Sequence, residues 1–540
     1  MRAAKWLILF LKGIGVRHIF GIPAGSVNAV FDELYNHEEI EPFITKHEGA
    51  AGYMASAYAK YSGSLAVCIG SSGPGATNLV SGAANAMREQ QPVLFLTGAV
   101  PVASQGLNAS QELNAAPCFR EVTKYSEVIR TKEEFMEKIS KAVSIALDGV
   151  PGPVHIAMPI DLQMAEIERP VVSGVSRAIP AKAGESIVEQ ILQTMSGSKG
   201  VIFAGQGALN SAAEVRKLAE RFEWPIITSP QAKGLICDNH PLYKGIFGFA
   251  GHTSSTQLLE DPTYSAVIIL GSSLGETATN NWNPILTQNK YVIHVDRDKD
   301  VFNRKYAADM NVHSEIQALL HSLLERCGNN SYKKFPVKQS SKRMGSLEYN
   351  TQNVLSALQD ILPSSSRYFI DIGEFMSYVI HYMRVKESGT FDVNVHFGAM
   401  GSAVGGAIGA AVTDPQKPTV CITGDGCFFM HGMEILTAKE YGLPVLFIIM
   451  NNARLGMVHH GHKLQYKRVH ERFSQLPVNI TALAEAMNIP AMRISNMKDI
   501  DKLPSIIFPD TGPALLEIEL VDENVPPMGD RVKFLQSFSK

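Results

Sequence analysis

The sequence predicts an α/β protein made of three doubly wound parallel-sheet domains, and three observations carry that prediction. Strand-length apolar runs alternate with longer helical patterns along most of the chain, the rhythm of parallel strands joined by crossover helices. Two stretches poor in apolar periodicity interrupt that rhythm. The length of 540 residues also exceeds a single core, at roughly 100–200 residues per domain.

The first domain, 1–168, opens on a helical pattern at Ala3 to Gly13, followed by a strand at Arg17 to Phe20 and a helix from Glu48 to Tyr61. A strand at Leu65 to Ile69, a helix at Ala76 to Arg88 and a strand at Val93 to Leu96 continue it, and VHIAMPIDL at Val154 to Leu162 closes it. Arg2 and Lys5 ahead of Trp6 to Leu11 resemble a targeting segment, but the run is too short to span a membrane and Lys12 breaks it. Pro170 and Pro180 mark a linker. The second domain, 183–328, carries strands at Gly200 to Gly205, in WPIITS at Trp224 to Ser229, at Ala266 to Leu270 and at Tyr291 to Asp296. A solvated stretch from Asn329 to Ser346 leads to the third domain, 347–530. There follow YFIDIG at Tyr368 to Gly373, a Gly/Ala run at Gly398 to Ala411, TVCITGDG at Thr419 to Gly426 and PVLFIIMNN at Pro444 to Asn452 with its strand at Leu446 to Met450, and Ala514 to Leu520 last. No short-period repeat is visible.

Hydrophobic residues make up 45% and charged residues 19%, with a net charge of −3 at pH 7. No basic face points to nucleic acid, and no segment points to a membrane. Cys68, Cys118, Cys237, Cys327, Cys421 and Cys427 are scattered without a CxxC pair, which predicts neither a disulfide framework nor a zinc site. A reducing, cytoplasmic setting is expected.

The chemistry-bearing signal is GDG at Gly424 to Gly426, followed after 24 intervening residues by Asn451 and Asn452. The apolar run before Gly424 is a strand, so Asp425 leaves its carboxyl end, the ligand crevice of an open α/β sheet. A second strand delivers Asn452 to the same edge. A carboxylate, an amide oxygen and a loop carbonyl make an all-oxygen site suited to Mg²⁺ bridging two phosphates. Ordinary Asp-Gly turns are the competing explanation.

The GDG-to-NN spacing resembles that of thiamine diphosphate (ThDP) dependent enzymes, and the resemblance is nearest to the acetolactate synthases. It runs through GVRHIFGIPAGSV at 15–27, KHEGAAGYMASAYAK at 46–60, SSGPGATNLVSG at 71–82 and SQELNAAPCFREVTKYS at 110–126, then FGAMGSAVGGAIGAAV at 397–412 and GDGCFFMHGMEILTAKEYGLPV at 424–445. The resemblance implies the ThDP-binding fold. Glu48 would hydrogen-bond N1′ of the aminopyrimidine, a role that its place at a helix start followed by Gly49, Ala50, Ala51 and Gly52 supports by leaving room for a ring. Met400 would wedge beneath the cofactor, and Gly398 would contact the pyrimidine. Gly426, Cys427, Leu455, Gly456 and Met457 would line the diphosphate, with Gly25, Gly73 and Gly373 completing the cofactor set. Asp425, Asn452 and the Arg454 carbonyl would hold Mg²⁺. Gln111 and Lys124 match polar positions near the reacting carbon. Pairing Glu48 with the metal motif across two subunits implies a homodimer or a dimer of dimers.

Several positions depart from the acetolactate synthase pattern. The flavin-containing branch carries an arginine where this chain reads GSSLGETATNNW at 271–282, and the flavin-free branch carries a lysine after the early turn that here is Gly25 and Ser26. A tryptophan after GMV is absent; the chain continues HHGHKLQYKR, and Gly461 opens the pocket. His459, His460, His462 and His470 could be acid/base groups of a lid, metal ligands or solvated residues. Glu374 and Phe375 stand where relatives often carry Gln and His. GQGALN at Gly205 to Asn210 follows a strand as a dinucleotide turn does, yet a tight turn explains it equally; FAD is left open, with the absent arginine against it. The expected activity is a decarboxylating carboligase that activates a 2-keto acid, pyruvate first, and transfers the acyl carbanion to an acceptor carbonyl. The alternatives are a non-ligating decarboxylase or C–C lyase, and a non-catalytic ThDP-fold binding protein.

Overall fold

The computed structural model describes residues 1–168, 181–327, 348–505, 512–529, 532 and 536–537. Pro170, Pro180 and the stretch from Asn329 to Ser346, predicted as linkers, lie outside the described residues, as do the expected domain ends at 328, 347 and 530. Three six-stranded sheets follow one another along the chain, and all their pairings are parallel. The three-unit α/β architecture predicted from the sequence is thus the one observed.

The first sheet runs, in spatial order, Glu41–Ile44, His18–Gly21, Ala66–Gly70, Val93–Ala99, Val154–Pro159 and Ser126–Val128. The third runs Phe391–Val393, Arg367–Ile370, Thr419–Gly424, Val445–Asn451, Ala514–Glu519 and Ala491–Ile494. Counted from the start of each unit, both orders are 2-1-3-4-6-5. The middle sheet, Met310–His313, Tyr291–Asp296, Ala266–Leu270, Gly200–Ala204, Ile226–Thr228 and Tyr243–Ile246, counts as 6-5-4-1-2-3. Read from its other edge, that is the strand order of dinucleotide-binding sheets.

The interior strands are buried on both faces, which is why Val93–Ala99, Thr419–Gly424 and Val445–Asn451 have no exposed position. In each outer unit a helix follows the second strand and leads to the third: Glu48–Ser62 in the first, Ser402–Thr413 in the third. Small residues bring these two helices together. A Cβ at Gly409 would stand 2.1 Å from the Met54 carbonyl oxygen, and one at Gly405 would stand 2.9 Å from that of Ala50. One core consequently runs through both outer units, from Phe20 and Met54 to Val404 and Phe447. Among the described residues no helix is long and apolar enough to cross a membrane, and all six cysteines are free thiols.

Candidate active site

The carboxyl edge of the third sheet gathers most of the sequence-predicted residues. Gly424 pairs with Met450 in register, so the chain turns into Asp425 on one strand beside the turn into Asn452 on the next. Asp425 is buried, and its Oδ1 accepts the Gly426 N–H at 2.9 Å. Burial pushes its pKa up to about 6, with the charge of Glu374 acting in the same direction against the amides of Gly426 and Ala453. Among the described residues no Lys or Arg pairs with it, so its oxygens suit a divalent cation. Asn452 donates from Nδ2 to Glu374 Oε1 at 2.6 Å and accepts the Arg454 N–H on Oδ1 at 3.2 Å. The Arg454 guanidinium turns to Glu523 (2.7 Å) and the Asp522 carbonyl (2.5 Å), leaving its backbone to the turn.

Gly426 is the meeting point: a Cβ there would lie 3.3 Å from Leu455 Cδ2 and 3.5 Å from Met400 Cε. The turn carrying Met400 is set by Gly398 (φ 69°) and Gly401 (φ 82°), both left-handed, where only glycine is unstrained. Asp371, fully buried, holds that turn by accepting the Gly401 N–H at 3.0 Å while Thr423 donates to its other oxygen at 2.8 Å. Cys427 donates to the Ile372 carbonyl at 3.0 Å, and burial pushes its thiol well up. Gly373 lies against the Phe375 ring and Gly456 against Glu374 Oε2, where a Cβ would approach to 2.3 and 2.2 Å. Met457 packs on the core of this unit.

The first unit presents a second cluster. His47 caps the helix of Glu48 by accepting the Gly49 N–H at 3.0 Å, and Asn78 donates to Glu48 Oε2 at 3.0 Å. A Cβ at Gly75 would stand 3.0 Å from Glu48 Oε1. Gly73 (φ 63°) abuts the Gln111 carbonyl, which also accepts from Ser72 Oγ at 2.7 Å, so Gln111 stands exposed at the same edge. Gly25 opens a turn with free space around it. Lys124 lies apart from this cluster's carboxylate: its ammonium donates to the carbonyls of Ile145, Asp148 and Val150 at 2.6, 2.7 and 2.8 Å. Its three donors and these three carbonyls tie a loop.

Glu434 joins the two units, and sequence reasoning missed it. Its buried carboxylate accepts the backbone N–H groups of Lys46 (2.9 Å) and His47 (2.8 Å), immediately before Glu48, while Thr437 donates at 2.7 Å. Tyr441, a few residues on, accepts the Ile44 N–H at 2.8 Å. No hydrogen bond or ion pair among the described residues links Glu48 to Asp425 or Asn452. Phe429, Met430 and Met433, beside GDG, are 47%, 54% and 53% exposed.

The histidines separate. His460 is buried 3.1 Å from Glu374 Oε2, whereas His459 and His462 are partly exposed and His470 is exposed. Among the described residues no group of three His, Cys, Asp or Glu side chains is arranged for a metal. At the point where the middle sheet reverses order, Gly207 packs on Gly271 (a Cβ would sit 2.9 Å from its Cα) above a cleft of about 1130 Å³ lined by Ser272, Asp296, Arg297 and Arg304.

Fold and site together define a thiamine pyrophosphate enzyme. The chain matches the N-terminal TPP-binding domain of such enzymes over residues 1–117, their central domain over 188–323 and their C-terminal TPP-binding domain over 371–518. It is 31% identical to the probable acetolactate synthase large subunit of Methanococcus aeolicus, over 93% of this chain and 89% of the relative. It is 30% identical to that of Methanocaldococcus jannaschii (98% and 93%) and 29% to the acetolactate synthase isozyme 1 large subunit of Escherichia coli (97% and 95%). The chain belongs to the acetolactate synthase-like family of ThDP-dependent carboligases.

Proposed function

We propose that the chain is a ThDP- and Mg²⁺-dependent carboligase that decarboxylates a 2-keto acid, pyruvate first, and joins the acyl unit to an acceptor other than a small free 2-keto acid. The observation that carries this reading is the convergence of Asp425, Asn452 and Met400 on one sheet edge, with Glu48 anchored at the start of the equivalent helix of another. When bound, ThDP supplies the electron sink for CO₂ loss and C–C bond formation. Asp425, Asn452 and the Arg454 carbonyl would hold Mg²⁺, an all-oxygen set that fits a hard cation. Gly426, Cys427, Leu455, Gly456 and Met457 would receive the diphosphate, and Gly373, Gly398 and Met400 the region next to it. Glu48, with Asn78 on one oxygen, would hold a proton at the aminopyrimidine nitrogen. Gly25 and Gly73 would complete the cofactor set, and Gln111 would stand near the reacting carbon.

The acceptor side supports the departure from a two-keto-acid reaction. Residues 271–282 hold no arginine, Gly25 and Ser26 hold no cation, and Gly461 replaces a bulky ring. An acceptor carboxylate would find no counter-charge there, while a larger or uncharged carbonyl would find room. The two Glu48 and Asp425 clusters would complete each other across two copies of the chain, whose exposed Phe429, Met430 and Met433 offer apolar surface to bury. The cleft of the middle sheet has room for a dinucleotide beside a sheet of the matching strand order, while the missing arginine stands against FAD; flavin absorbance of the purified protein decides it. Six free thiols suit a cytoplasmic setting.

The test is incubation with ThDP, Mg²⁺ and ¹³C-pyruvate, with and without aldehydes and 2-keto acids, followed by NMR. A mixed adduct is expected. Acetolactate from pyruvate alone would refute the acceptor assignment, simple decarboxylation would favour the non-ligating reading, and an untouched pyruvate pool would refute pyruvate as the donor.

A further inference from the structure

We infer that Glu374 and His460 are positioning residues that fix which end of the Asn452 amide faces the metal site, an inference that rests on the metal reading above. Glu374 begins the helix Glu374–Tyr382 and is 7% exposed. An ionised carboxylate only accepts hydrogen bonds, so the 2.6 Å contact to Oε1 must come from the Asn452 NH₂. The amide oxygen is thereby turned away, over the Arg454 N–H at 3.2 Å, where an oxygen ligand is needed. A glutamine at 374 could present either its oxygen or its nitrogen to Asn452 and would dictate this less strictly.

The other oxygen explains His460. Glu374 Oε2 is buried and takes no hydrogen bond of its own, yet His460 Nε2 stands 3.1 Å away and Arg454 Nη2 3.8 Å away. His460 is 1% exposed, and the absence of a side chain on Gly456 makes the space that Oε2 occupies. Arg454 Nη2 also donates to His460 Nε2 at 3.3 Å, so the His460 ring packs between the guanidinium and Glu374 Oε2 and keeps both in place, while Arg454 is the cation that accompanies the buried carboxylate. Outer-shell partners of this kind orient ligands and tune metal affinity.

The experiment measures Mn²⁺ binding by electron paramagnetic resonance in the full chain with ThDP present, which needs no turnover. Glu374→Ala is expected to weaken Mn²⁺ binding by about 10- to 100-fold, and Glu374→Gln, which still offers an oxygen to the Asn452 N–H, to weaken it far less. His460→Ala should weaken it too, and the double Glu374→Ala/His460→Ala should be no worse than Glu374→Ala alone. Wild-type affinity in Glu374→Ala, equal damage from Gln and Ala, or additive effects in the double variant would each overturn the inference. Asp425→Ala separates the two readings: if it leaves Mn²⁺ binding intact, the metal site itself is wrong, whereas if it abolishes binding and Glu374→Ala does not, only the positioning role fails.

Discussion

Replacing Glu434 by alanine tests whether the third unit holds the start of the Glu48 helix in place. The substitution removes three hydrogen bonds to one buried carboxylate, two of them from the backbone amides of Lys46 and His47. At about 1 kcal/mol net for each, the local closed state loses about 3 kcal/mol. Since each 1.4 kcal/mol is about tenfold in an equilibrium constant, opening of this segment should become about 100-fold more frequent. Hydrogen exchange read on a peptide spanning residues 42–52 reports that opening directly, and Thr437→Val, which removes one of the three bonds, should give about tenfold or less. With the helix start loosened, turnover should fall while ThDP affinity, which the proposed Asp425 site would set, holds. Unchanged exchange at residues 46–49 in Glu434→Ala would refute the reasoning, because the amides would then have another acceptor.

Three further outcomes are expected. Glu48→Gln should bind ThDP and Mg²⁺ as the wild type does and lose turnover; calorimetry and product assay read the two halves, and retained activity would remove Glu48 from the mechanism. Gly409→Ala gains about 1 kcal/mol of helix propensity but drives a Cβ to 2.1 Å from the Met54 carbonyl, a backbone clash costing about 3 kcal/mol; an unmoved urea midpoint would contradict the packing. Asp296 is pushed up to about 6 by burial. Its folded pKa lies above its unfolded one, so its contribution is full below about pH 4 and is lost as pH rises through about 6. Asp296→Asn, which keeps the acceptor for the Asp298 N–H, should therefore match wild-type stability near pH 4 and exceed it by up to about 3 kcal/mol near pH 8; the opposite pH trend would refute the assignment.

What the sequence revealed of the fold follows burial. The interior strands, such as Val93–Ala99 and Val445–Asn451, are buried on both faces and read as continuous apolar runs. The strands that escaped notice are the sheet edges, Glu41–Ile44, Ser126–Val128, Tyr243–Ile246, Met310–His313, Phe391–Val393 and Ala491–Ile494. They are short and mostly half-buried, so neither run nor alternation marks them. The shared order of the outer sheets was equally hidden, because topology repeats where residues do not. In the site, Asp425 and Asn452 were legible from spacing and the turn glycines from type. The three carbonyls around the Lys124 ammonium were not legible, because Ile145, Asp148 and Val150 lie more than 20 residues along the chain. Glu374 stood out as a departure, but its partners Asn452 and His460 lie about 80 residues away and only the fold unites them.

The repeated topology bears on where a complete site forms. Helices Glu48–Ser62 and Ser402–Thr413 hold the same place in their units, and Gly49 and Gly401 both approach the His431 ring, at 3.3 and 3.1 Å from an added Cβ. Within one chain, however, Glu48 is turned to Gly75 and Asn78, and the apolar surface beside Asp425 is left bare. A two-fold pair of chains would set the first unit of each against the third unit of the other and form two equal sites. Mixing two inactive variants tests this. In a hybrid of Glu48→Gln and Asp425→Ala chains, one site carries both lesions and the other carries neither. With random reassortment about half the dimers are hybrids and half their sites are intact, so about a quarter of wild-type turnover should return. If both clusters serve the same chain's cofactor, every site in the mixture carries a lesion and nothing returns.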